Sequence, residues 1–368
     1  MSEESDAAEN DRRSRRQRLA GEGPVLPAAR ARRVAVVFPG QGSQRPAMGA
    51  QWARHRAFAL VRRAERRLGR PLEPMLVDPE RPPSGTAEHQ LAVTLCSAMA
   101  WAVLKEAVLK EAALEAPEWK EASFPAVVAG HSLGLISALH AAGSLGEDEL
   151  VDVVAARGEL TGAAGRRRPG AMAAMLTSAD IAHRCCAGVN ERYGLAVVWV
   201  ANDNAPGQTV ITGTAEAVRE AGREAIERGV REVVALDVAG AFHSPLLREA
   251  AREFERRLAL VPFEPTRVPL AVNGRLLPAG TDPDELRARV AGDLTATLLW
   301  RETQLLIAEA PGGPRVTDLV ECGYGRTLTG LAKRTIGGVA LHNAASPEAV
   351  AAVARTLCEL VGPRGGAR

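Results

Sequence analysis

The stretch VVAGHSLGLISALHAAG, residues 127–143, joins a short apolar run to a helical pattern through Gly-His-Ser-Leu-Gly. A strand, then Gly-x-Ser-x-Gly, then a helix is the order of a nucleophile elbow, in which the serine stands on a sharp turn. Gly130 and Gly134 allow that turn because neither carries a Cβ atom. The pattern predicts that Ser132 is a nucleophile and that the Leu133 amide, at the helix start, points toward a developing oxyanion. A structural turn with an idle serine is the alternative.

The bulk composition excludes several classes of protein. The chain has 368 residues, 46% of them hydrophobic, which is enough for a large core. Its net charge of +2 gives no reason to expect nucleic acid or a membrane surface as the main partner. No apolar run is expected to be long enough to span a membrane. Five cysteines without CxxC spacing indicate neither a disulfide framework nor a metal site, so we expect a cytoplasmic protein.

Apolar runs alternate with helical periodicity along most of the chain, which predicts an α/β protein with a mostly parallel sheet. After Pro169 the order changes to βαββαβ, the ferredoxin-like arrangement. We therefore predict an α/β-hydrolase-like large subdomain interrupted by a ferredoxin-like small subdomain, between an arginine-rich disordered tail and a short C-terminal tail. The predicted boundaries are 1–32 for the first tail, 33–168 and 237–360 for the large subdomain, 169–236 for the small subdomain and 361–368 for the second tail.

A nucleophilic serine needs a base, and the chain offers seven histidines. His131 is adjacent to Ser132, so its side chain should point away from the serine. His243 ends the run VAGAFH and stands directly before Ser-Pro, which is typical of a helix N-cap followed by a first-turn proline. A histidine fixed at such a junction is well placed for catalysis, although the spacing alone leaves a structural role open.

One arginine falls on an apolar helix face. In LVDVVAARGEL, the residues Leu150, Val153, Val154 and Arg157 recur at i, i+3, i+4 and i+7. A desolvated guanidinium needs an anionic partner with good geometry. The spacing alone does not decide between two partners for Arg157. One is a buried acid of the protein, and the other is a substrate carboxylate that the guanidinium holds by two parallel hydrogen bonds.

Six motifs occur together and in a fixed order. They are FPGQGSQ (38–44), GHSLG (130–134), RGEL (157–160), ANDNAPGQTVITG (201–213), GAFHSPLL (240–247) and ECGYGRTLTGL (321–331). On these motifs the chain resembles the malonyl-CoA:acyl carrier protein transacylases and the acyltransferase domains of polyketide synthases, over about residues 33–358. The resemblance implies transfer of a malonyl-type group from coenzyme A to the phosphopantetheine thiol of an acyl carrier protein or carrier domain. It also implies a monomer that binds no cofactor.

The resemblance also assigns roles to residues. It makes Ser132 and His243 the catalytic pair and places the backbone N–H groups of Gln41 and Leu133 in the oxyanion hole. It implies that a backbone carbonyl, that of Asp293, orients His243. The family usually has glutamine at that position, so a contact between the Asp293 carboxylate and His243 stays open. The implied substrate-binding residues are Arg157, Phe242 and Gln90.

Three of these positions bear on substrate choice. Arg157 matches the arginine that holds the malonyl carboxylate in the family. Phe242 accompanies malonyl rather than methylmalonyl, because its ring fills the space that an α-methyl group would need. Gly240 resembles free-standing enzymes, including those that act in trans on polyketide synthases. A larger malonyl derivative, a housekeeping fatty-acid role, an acyl hydrolase, a carrier-to-carrier transferase and an inactive docking protein remain alternatives.

Overall fold

The computed structural model describes residues 32–115, 124–238, 240–309 and 315–358. Nearly all of both predicted tails, 1–31 and 361–368, therefore lies outside the described residues. Arg32 is the exception, since it was predicted to belong to the first tail. Its guanidinium instead forms an ion pair of 2.7 Å with Asp318, so it belongs to the folded part of the chain.

The larger sheet has six strands in the order β11-β10-β1-β2-β7-β8. All neighbouring pairs are parallel except β7 and β8, as expected for a mostly parallel sheet. Every residue of β1, β2 and β10 is buried. Strands β1 and β2 accordingly read as continuous apolar runs, whereas β10 also carries the buried acids Asp318 and Glu321. The bounds are β1 Val34–Phe38, β2 Val127–Gly130, β7 Leu270–Val272, β8 Arg275–Leu277, β10 Asp318–Cys322 and β11 Ala340–Ala344.

Helices cover both faces of this sheet. Val36 of β1 belongs to one core cluster and Val37 to another, since successive side chains of a strand point to opposite faces. The helices, numbered in chain order, are α1 Ala59–Leu68, α2 Glu73–Val77, α3 Gly85–Glu115, α4 Gly134–Ala141, α5 Glu147–Arg167, α6 Ala179–Tyr193, α7 Ala215–Glu227, α8 Arg248–Leu258, α9 Pro283–Asp293, α10 Trp300–Glu309, α11 Thr327–Thr335 and α12 Pro347–Cys358.

Helix α3 corrects one expectation from the sequence. Its segment Gly85–Glu111 is long enough to cross a membrane and contains an 18-residue window with a mean hydropathy of 1.5, although no such segment was expected. Within the protein, 72% of this segment's most apolar stretch is buried. Such burial is typical of a helix in a protein core, because its apolar side chains already pack against other parts of the protein.

A second sheet has the order β6-β3-β5-β4-β9. Its first four strands are antiparallel and, with α6 and α7, follow the βαββαβ order. The fifth strand comes from beyond the predicted small subdomain and pairs in parallel with β4, so the second sheet also includes a strand of the later chain. The bounds are β3 Ala171–Met175, β4 Val198–Ala205, β5 Gln208–Gly213, β6 Val233–Ala235 and β9 Leu298–Leu299.

A cavity of about 640 Å³ lies where the two sheets meet. The loops after β1 and β2 form one side of it, at the carboxyl ends of the parallel strands. Met172, Ala174 and Val210 of the second sheet form the opposite side. The fold thus brings the sequence motifs of both sheets to one cavity.

Candidate active site

Ser132 stands on a strained turn between β2 and α4. Its φ of 51° lies in the left-handed region, which non-glycine residues rarely adopt. A Cβ atom on Gly130 would lie 2.0 Å from the Gly134 carbonyl carbon, and one on Gly134 would lie 2.1 Å from the Phe38 carbonyl oxygen. Both glycines are therefore required by close backbone contacts, and together they hold the serine hydroxyl in the cavity.

Ser132 and His243, 111 positions apart in sequence, meet in the cavity with 2.7 Å between Oγ and Nε2. The other ring nitrogen, Nδ1, lies 3.0 Å from the Ala296 carbonyl oxygen. Because a carbonyl only accepts, Nδ1 carries the proton and Nε2 accepts the hydrogen bond from the serine hydroxyl. Ser244 caps the following turn by accepting from the Leu246 amide at 3.3 Å, which fixes the backbone next to His243.

Burial shifts the titration of this histidine. His243 is 4% exposed, and desolvation lowers its pKa below the usual histidine range. The Asp293 carboxylate acts in the opposite direction, while the positive charge of Arg157 lowers the pKa further. His243 is therefore neutral near pH 7 and able to accept the serine proton.

Arg157 projects from α5 into the same cavity. Its side chain is almost fully buried, and Nη2 donates to Ser132 Oγ at 3.2 Å. No aspartate or glutamate among the described residues forms an ion pair with it. Burial lowers its pKa to about 10, and the Asp293 carboxylate partly opposes this effect. The guanidinium thus remains charged at neutral pH beside the serine, and no described acid lies within ion-pair distance of it.

The two backbone amides predicted for the oxyanion hole belong to Gln41, which lines the cavity, and to Leu133, which directly follows Ser132. Gln41 lies in the loop after β1, which is tightened by hydrogen bonds from Ser43 Oγ to the Gly40 carbonyl at 2.9 Å and from the Gly42 amide to Gln44 Oε1 at 2.6 Å. The Leu133 amide precedes the first residue of α4 and therefore has no acceptor within the helix. These amides are the candidates for an oxyanion hole.

Comparison with known proteins identifies the family of the chain that carries this site. Residues 35–291 match the model of the acyl transferase domain family. The chain belongs to the acyl transferase domain family. The prediction made from the six ordered motifs is thereby confirmed.

Two relatives show how the acyltransferase chain compares in length. It is 33% identical over 332 residues to polyketide biosynthesis protein ThaF of Burkholderia thailandensis, covering 87% of this chain and only 26% of ThaF. It is 32% identical to the malonyl CoA-acyl carrier protein transacylase of Bacillus subtilis, covering 89% of this chain and 98% of that protein. The chain thus spans about a quarter of ThaF and nearly all of the transacylase.

Solved structures share the fold of this acyltransferase. One match is a chain from PlMCAT:AntF, a type II polyketide synthase acyl carrier protein in complex with its malonyl-transacylase. It has a TM-score of 0.77 and 28% identity, covering 88% of this chain and 99% of that chain. The acyl-carrier-protein S-malonyltransferase of Burkholderia pseudomallei matches with a TM-score of 0.77 and 27% identity over 88% and 99% of the two chains. The predicted α/β fold class is confirmed.

The structure refines the role predicted for Asp293 in the acyltransferase. The sequence named its backbone carbonyl as the group that orients His243, whereas His243 Nδ1 donates to the Ala296 carbonyl oxygen at 3.0 Å. The Asp293 backbone acts on the imidazole more weakly, by raising its pKa. Helix α9 ends at Asp293, and the turn after it brings the Ala296 carbonyl to the imidazole. No hydrogen bond is found between the Asp293 carboxylate and His243, so the carboxylate acts through its charge.

Gln90 does not line the cavity, contrary to its predicted role in substrate binding. It is fully buried on α3, and its Nε2 atom donates to Thr161 Oγ1 at 3.2 Å and to Gln41 Oε1 at 3.4 Å. The side chain of Leu133 is likewise buried in the core rather than in the cavity wall. Gln90 therefore supports Gln41 from behind, because α3 lies one layer below the loop after β1.

Phe242 lies in the cavity wall, as the sequence predicted, and packs in a cluster with Met172 and Val210. His131 was predicted to point away from Ser132. Its Nε2 atom donates to Asn204 Oδ1 at 2.9 Å. Its ring and the Trp300 ring pack edge to face, with 5.3 Å between the ring centroids.

Burial lowers the pKa of His131 to about 4, so it stays neutral next to the nucleophile. Sequence reasoning did not find its partners Asn204 and Trp300, although Asn204 belongs to the motif at 201–213. Among the described residues, no group of histidine, cysteine or acidic side chains could hold a metal ion.

Proposed function

We propose that this acyltransferase moves a malonyl-type group from coenzyme A to the phosphopantetheine thiol of an acyl carrier protein, through an ester on Ser132. The observation that carries the proposal is the buried charge of Arg157, which lies 3.2 Å from the nucleophile and has no acidic partner in the described chain. The free carboxylate of a malonyl thioester supplies that partner. Relatives named malonyl CoA-acyl carrier protein transacylase support the same substrates.

The first half-reaction forms the ester. The Ser132 hydroxyl proton passes to Nε2 of His243 while Oγ bonds to the thioester carbonyl carbon. The amides of Gln41 and Leu133 stabilise the oxyanion, and Arg157 binds the malonyl carboxylate. The carbon–sulfur bond then breaks, and the coenzyme A sulfur takes the proton from His243.

The second half-reaction reverses these steps on another thiol. The phosphopantetheine thiol gives its proton to His243 as its sulfur bonds to the ester carbonyl carbon. The bond to Ser132 Oγ breaks, and the serine recovers the proton. Proton transfer and acyl transfer need no resident cofactor or metal in this scheme.

Two rival functions leave Arg157 unused. A hydrolase of simple acyl chains and a carrier-to-carrier transferase for such chains both handle substrates without a free carboxylate. Either would leave a buried guanidinium unpaired throughout its cycle, at a cost in stability. The same residue therefore favours a dicarboxylic acyl group.

We further propose that the enzyme works in the cytoplasm and serves a polyketide synthase in trans. Two similarities support the role in trans: one to ThaF, and one to a malonyl-transacylase solved with its polyketide synthase carrier protein. This chain is equally similar in sequence to malonyl CoA-acyl carrier protein transacylases. Packing does not require glycine at position 240, since an added Cβ atom would meet Gly165 Cα at an ordinary 3.5 Å. The fold therefore does not account for Gly240, which the resemblance associates with free-standing enzymes.

Intact-protein mass spectrometry tests the proposal. The protein is incubated with malonyl-, methylmalonyl-, acetyl- and octanoyl-coenzyme A, and then with a holo carrier protein. We expect a malonyl adduct that moves to the carrier and that the Ser132→Ala variant does not form. Release of free malonate without labelling of the carrier would establish a hydrolase instead. Carriers from a polyketide synthase and from fatty-acid synthesis are compared, and a preference for the latter contradicts the trans role.

A further inference from the structure

The acceptor that holds His243 is a single backbone carbonyl in a short irregular segment. Ala296 lies between the end of α9 and the start of β9, so its carbonyl belongs to no helix or strand. His243 must in turn meet Ser132, with 2.7 Å between Nε2 and Oγ. A carbonyl in an irregular segment keeps one direction only when neighbouring contacts fix its peptide plane. The geometry of the Ser132–His243 pair therefore depends on what fixes Ala296.

Ala296 is held from both sides along the chain. On one side its amide donates to the Gly292 carbonyl at 3.2 Å, which ties it to the end of α9. On the other side Thr297 Oγ1 donates to the Val200 carbonyl oxygen of β4 at 2.8 Å. The peptide unit between Ala296 and Thr297 is planar, so a contact that fixes Thr297 also restrains the direction of the Ala296 carbonyl.

The Thr297 hydroxyl bonds to β4 just beyond the ladder between β9 and β4. That ladder begins at Leu298, which pairs with Asn202. The Thr214 amide donates to the Val197 carbonyl, and such bonds alternate along an antiparallel pair, so the Val200 carbonyl points away from β5 and toward the β9 side. Val200 is buried, and a buried carbonyl needs a donor. A side chain supplies that donor here, which leaves the Ala296 carbonyl to face His243.

Strand β4 also holds the nucleophile. Asn204 Oδ1 accepts from His131, the residue before Ser132 in the elbow, at 2.9 Å. The base is tied to the same strand, because the Ala296 carbonyl that holds it is followed by Thr297, which bonds to Val200. The two members of the catalytic pair therefore share β4 as a common frame.

The frame is anchored to α10 by two buried groups of β4. Arg301 donates to the Asp203 carboxylate at 2.8 Å, and Gln304 Nε2 donates to the Asn204 carbonyl at 2.9 Å. Asp203 and Gln304 are both buried, so these contacts are shielded from water. A hydrogen bond to β4 thus ties Thr297 to a fixed part of the protein.

We propose that Thr297 is a positioning residue of the active site, whose hydroxyl aligns the Ala296 carbonyl with His243. The inference rests on the proposed function, in which His243 takes up a proton in both half-reactions. The Nδ1–H group then donates from a charged ring, so its hydrogen bond to Ala296 strengthens as the proton leaves Ser132 or the carrier thiol. Thr297 does not line the cavity, so it should affect the rate of acyl transfer rather than the binding of the acyl donor.

Removal of the hydroxyl tests the proposal. Thr297→Val keeps nearly the same shape and leaves the Val200 carbonyl without its donor. In single turnovers, acylation of Ser132 by malonyl-coenzyme A and transfer to a holo carrier should both slow by about two- to tenfold, the value of one hydrogen bond. The donor concentration at half the maximal rate should not change, and Thr297→Ser should recover the rate. Thr335→Val is the matched control, because the Thr335 hydroxyl also donates to a backbone carbonyl, that of Leu331, at 2.9 Å within α11.

Two readouts distinguish positioning from a general loss of stability. The hydrogen bond to Ala296 helps to raise the pKa of His243, whose charged neighbours are the Asp293 carboxylate and Arg157. Its loss should therefore move the acidic limb of the kcat/KM pH profile to lower pH. Nitrogen NMR of the protein with isotope-labelled histidine should show the Nδ1–H tautomer of His243 in the unaltered protein and a larger share of the Nε2–H tautomer in Thr297→Val.

The outcomes separate positioning from other roles of Thr297. An unchanged rate, pH limb and tautomer in Thr297→Val overturn the proposal, and so does equal slowing in Thr335→Val. Thermal unfolding shows whether each variant is folded, and Thr297→Ser against Thr297→Ala, which differ only by the hydroxyl, carries the test if the valine variant is not. The NMR spectra need no substrate, so a missing malonyl adduct counts against the proposed function, whereas an unchanged tautomer counts against the role of Thr297.

Discussion

Replacing Arg157 by alanine should remove the preference for malonyl over acetyl groups. In the folded protein this guanidinium is 4% exposed and has no acidic partner among the described residues, so the malonyl carboxylate pairs with it in a desolvated site. Truncating one partner of a buried charge pair costs about 2–5 kcal/mol, which corresponds to about thirty- to four-thousandfold in kcat/KM. Acetyl-coenzyme A has no carboxylate and gains nothing from the charge.

The assay is single-turnover acylation of Ser132, quenched and weighed as intact protein, with malonyl- and acetyl-coenzyme A in parallel. The ratio of the two rates isolates the carboxylate contact, because loss of the hydrogen bond from Arg157 to Ser132 affects both donors alike. Arg157→Lys should recover part of the ratio, since an ammonium cannot form two parallel hydrogen bonds. Arg257→Ala is the control, because Arg257 forms only exposed ion pairs, with Glu159 and Glu253. Equal losses with both donors would refute the reasoning.

Three further outcomes follow from the described contacts. Burial lowers the pKa of His243 and the Asp293 carboxylate opposes this, so Asp293→Asn should move the acidic limb of the kcat/KM pH profile to lower pH; an unmoved limb would show that the charge does not reach the imidazole. Phe242→Ser should improve methylmalonyl relative to malonyl by up to about a hundredfold, the value of one methyl group, and competition between the two donors measures it. Gly130→Ala should destabilise the protein by about 3 kcal/mol, measured by urea unfolding, because the added Cβ atom clashes with backbone. Gly292→Ala is the control and should be neutral or stabilising, since open space surrounds Gly292. Similar urea midpoints for the two variants would contradict the elbow geometry.

The elements with strong local patterns were predictable. Continuous apolar runs marked β1 and β2, since strands that are covered on both faces are mostly apolar. The two-residue strand β9 was missed, because Leu298 and Leu299 have no pattern of their own and pair only where β4 is already in place. The local sequence of a strand does not encode its pairing with a strand that lies far away along the chain.

The candidate site divides in the same way. Arg157 could be placed on an apolar helix face from spacing alone, but the lack of an acid beside it is a property of the packed neighbourhood. The sequence also predicted that the Asp293 carbonyl accepts the hydrogen bond from His243. In the structure the main acceptor is the Ala296 carbonyl, three residues later in the turn after α9, and no sequence pattern reveals that shift. Gln90 was assigned to the cavity and lies behind it, because the layer in which a helix packs is set by its neighbours.

By itself, the sequence determined the elbow. Gly130, Ser132 and Gly134 between an apolar run and a helix are enough to predict it, because the close contact of Gly130 is with Gly134, four residues along the chain. The contact of Gly134 with Phe38 of β1 arises only in the folded protein. The tertiary structure decided what the serine can do. It brought His243 to Ser132 across 111 positions and left the charge of Arg157 unpaired among the described residues. Such groups meet only when distant segments pack, since distance in space and low exposure, rather than sequence spacing, set their charge interactions.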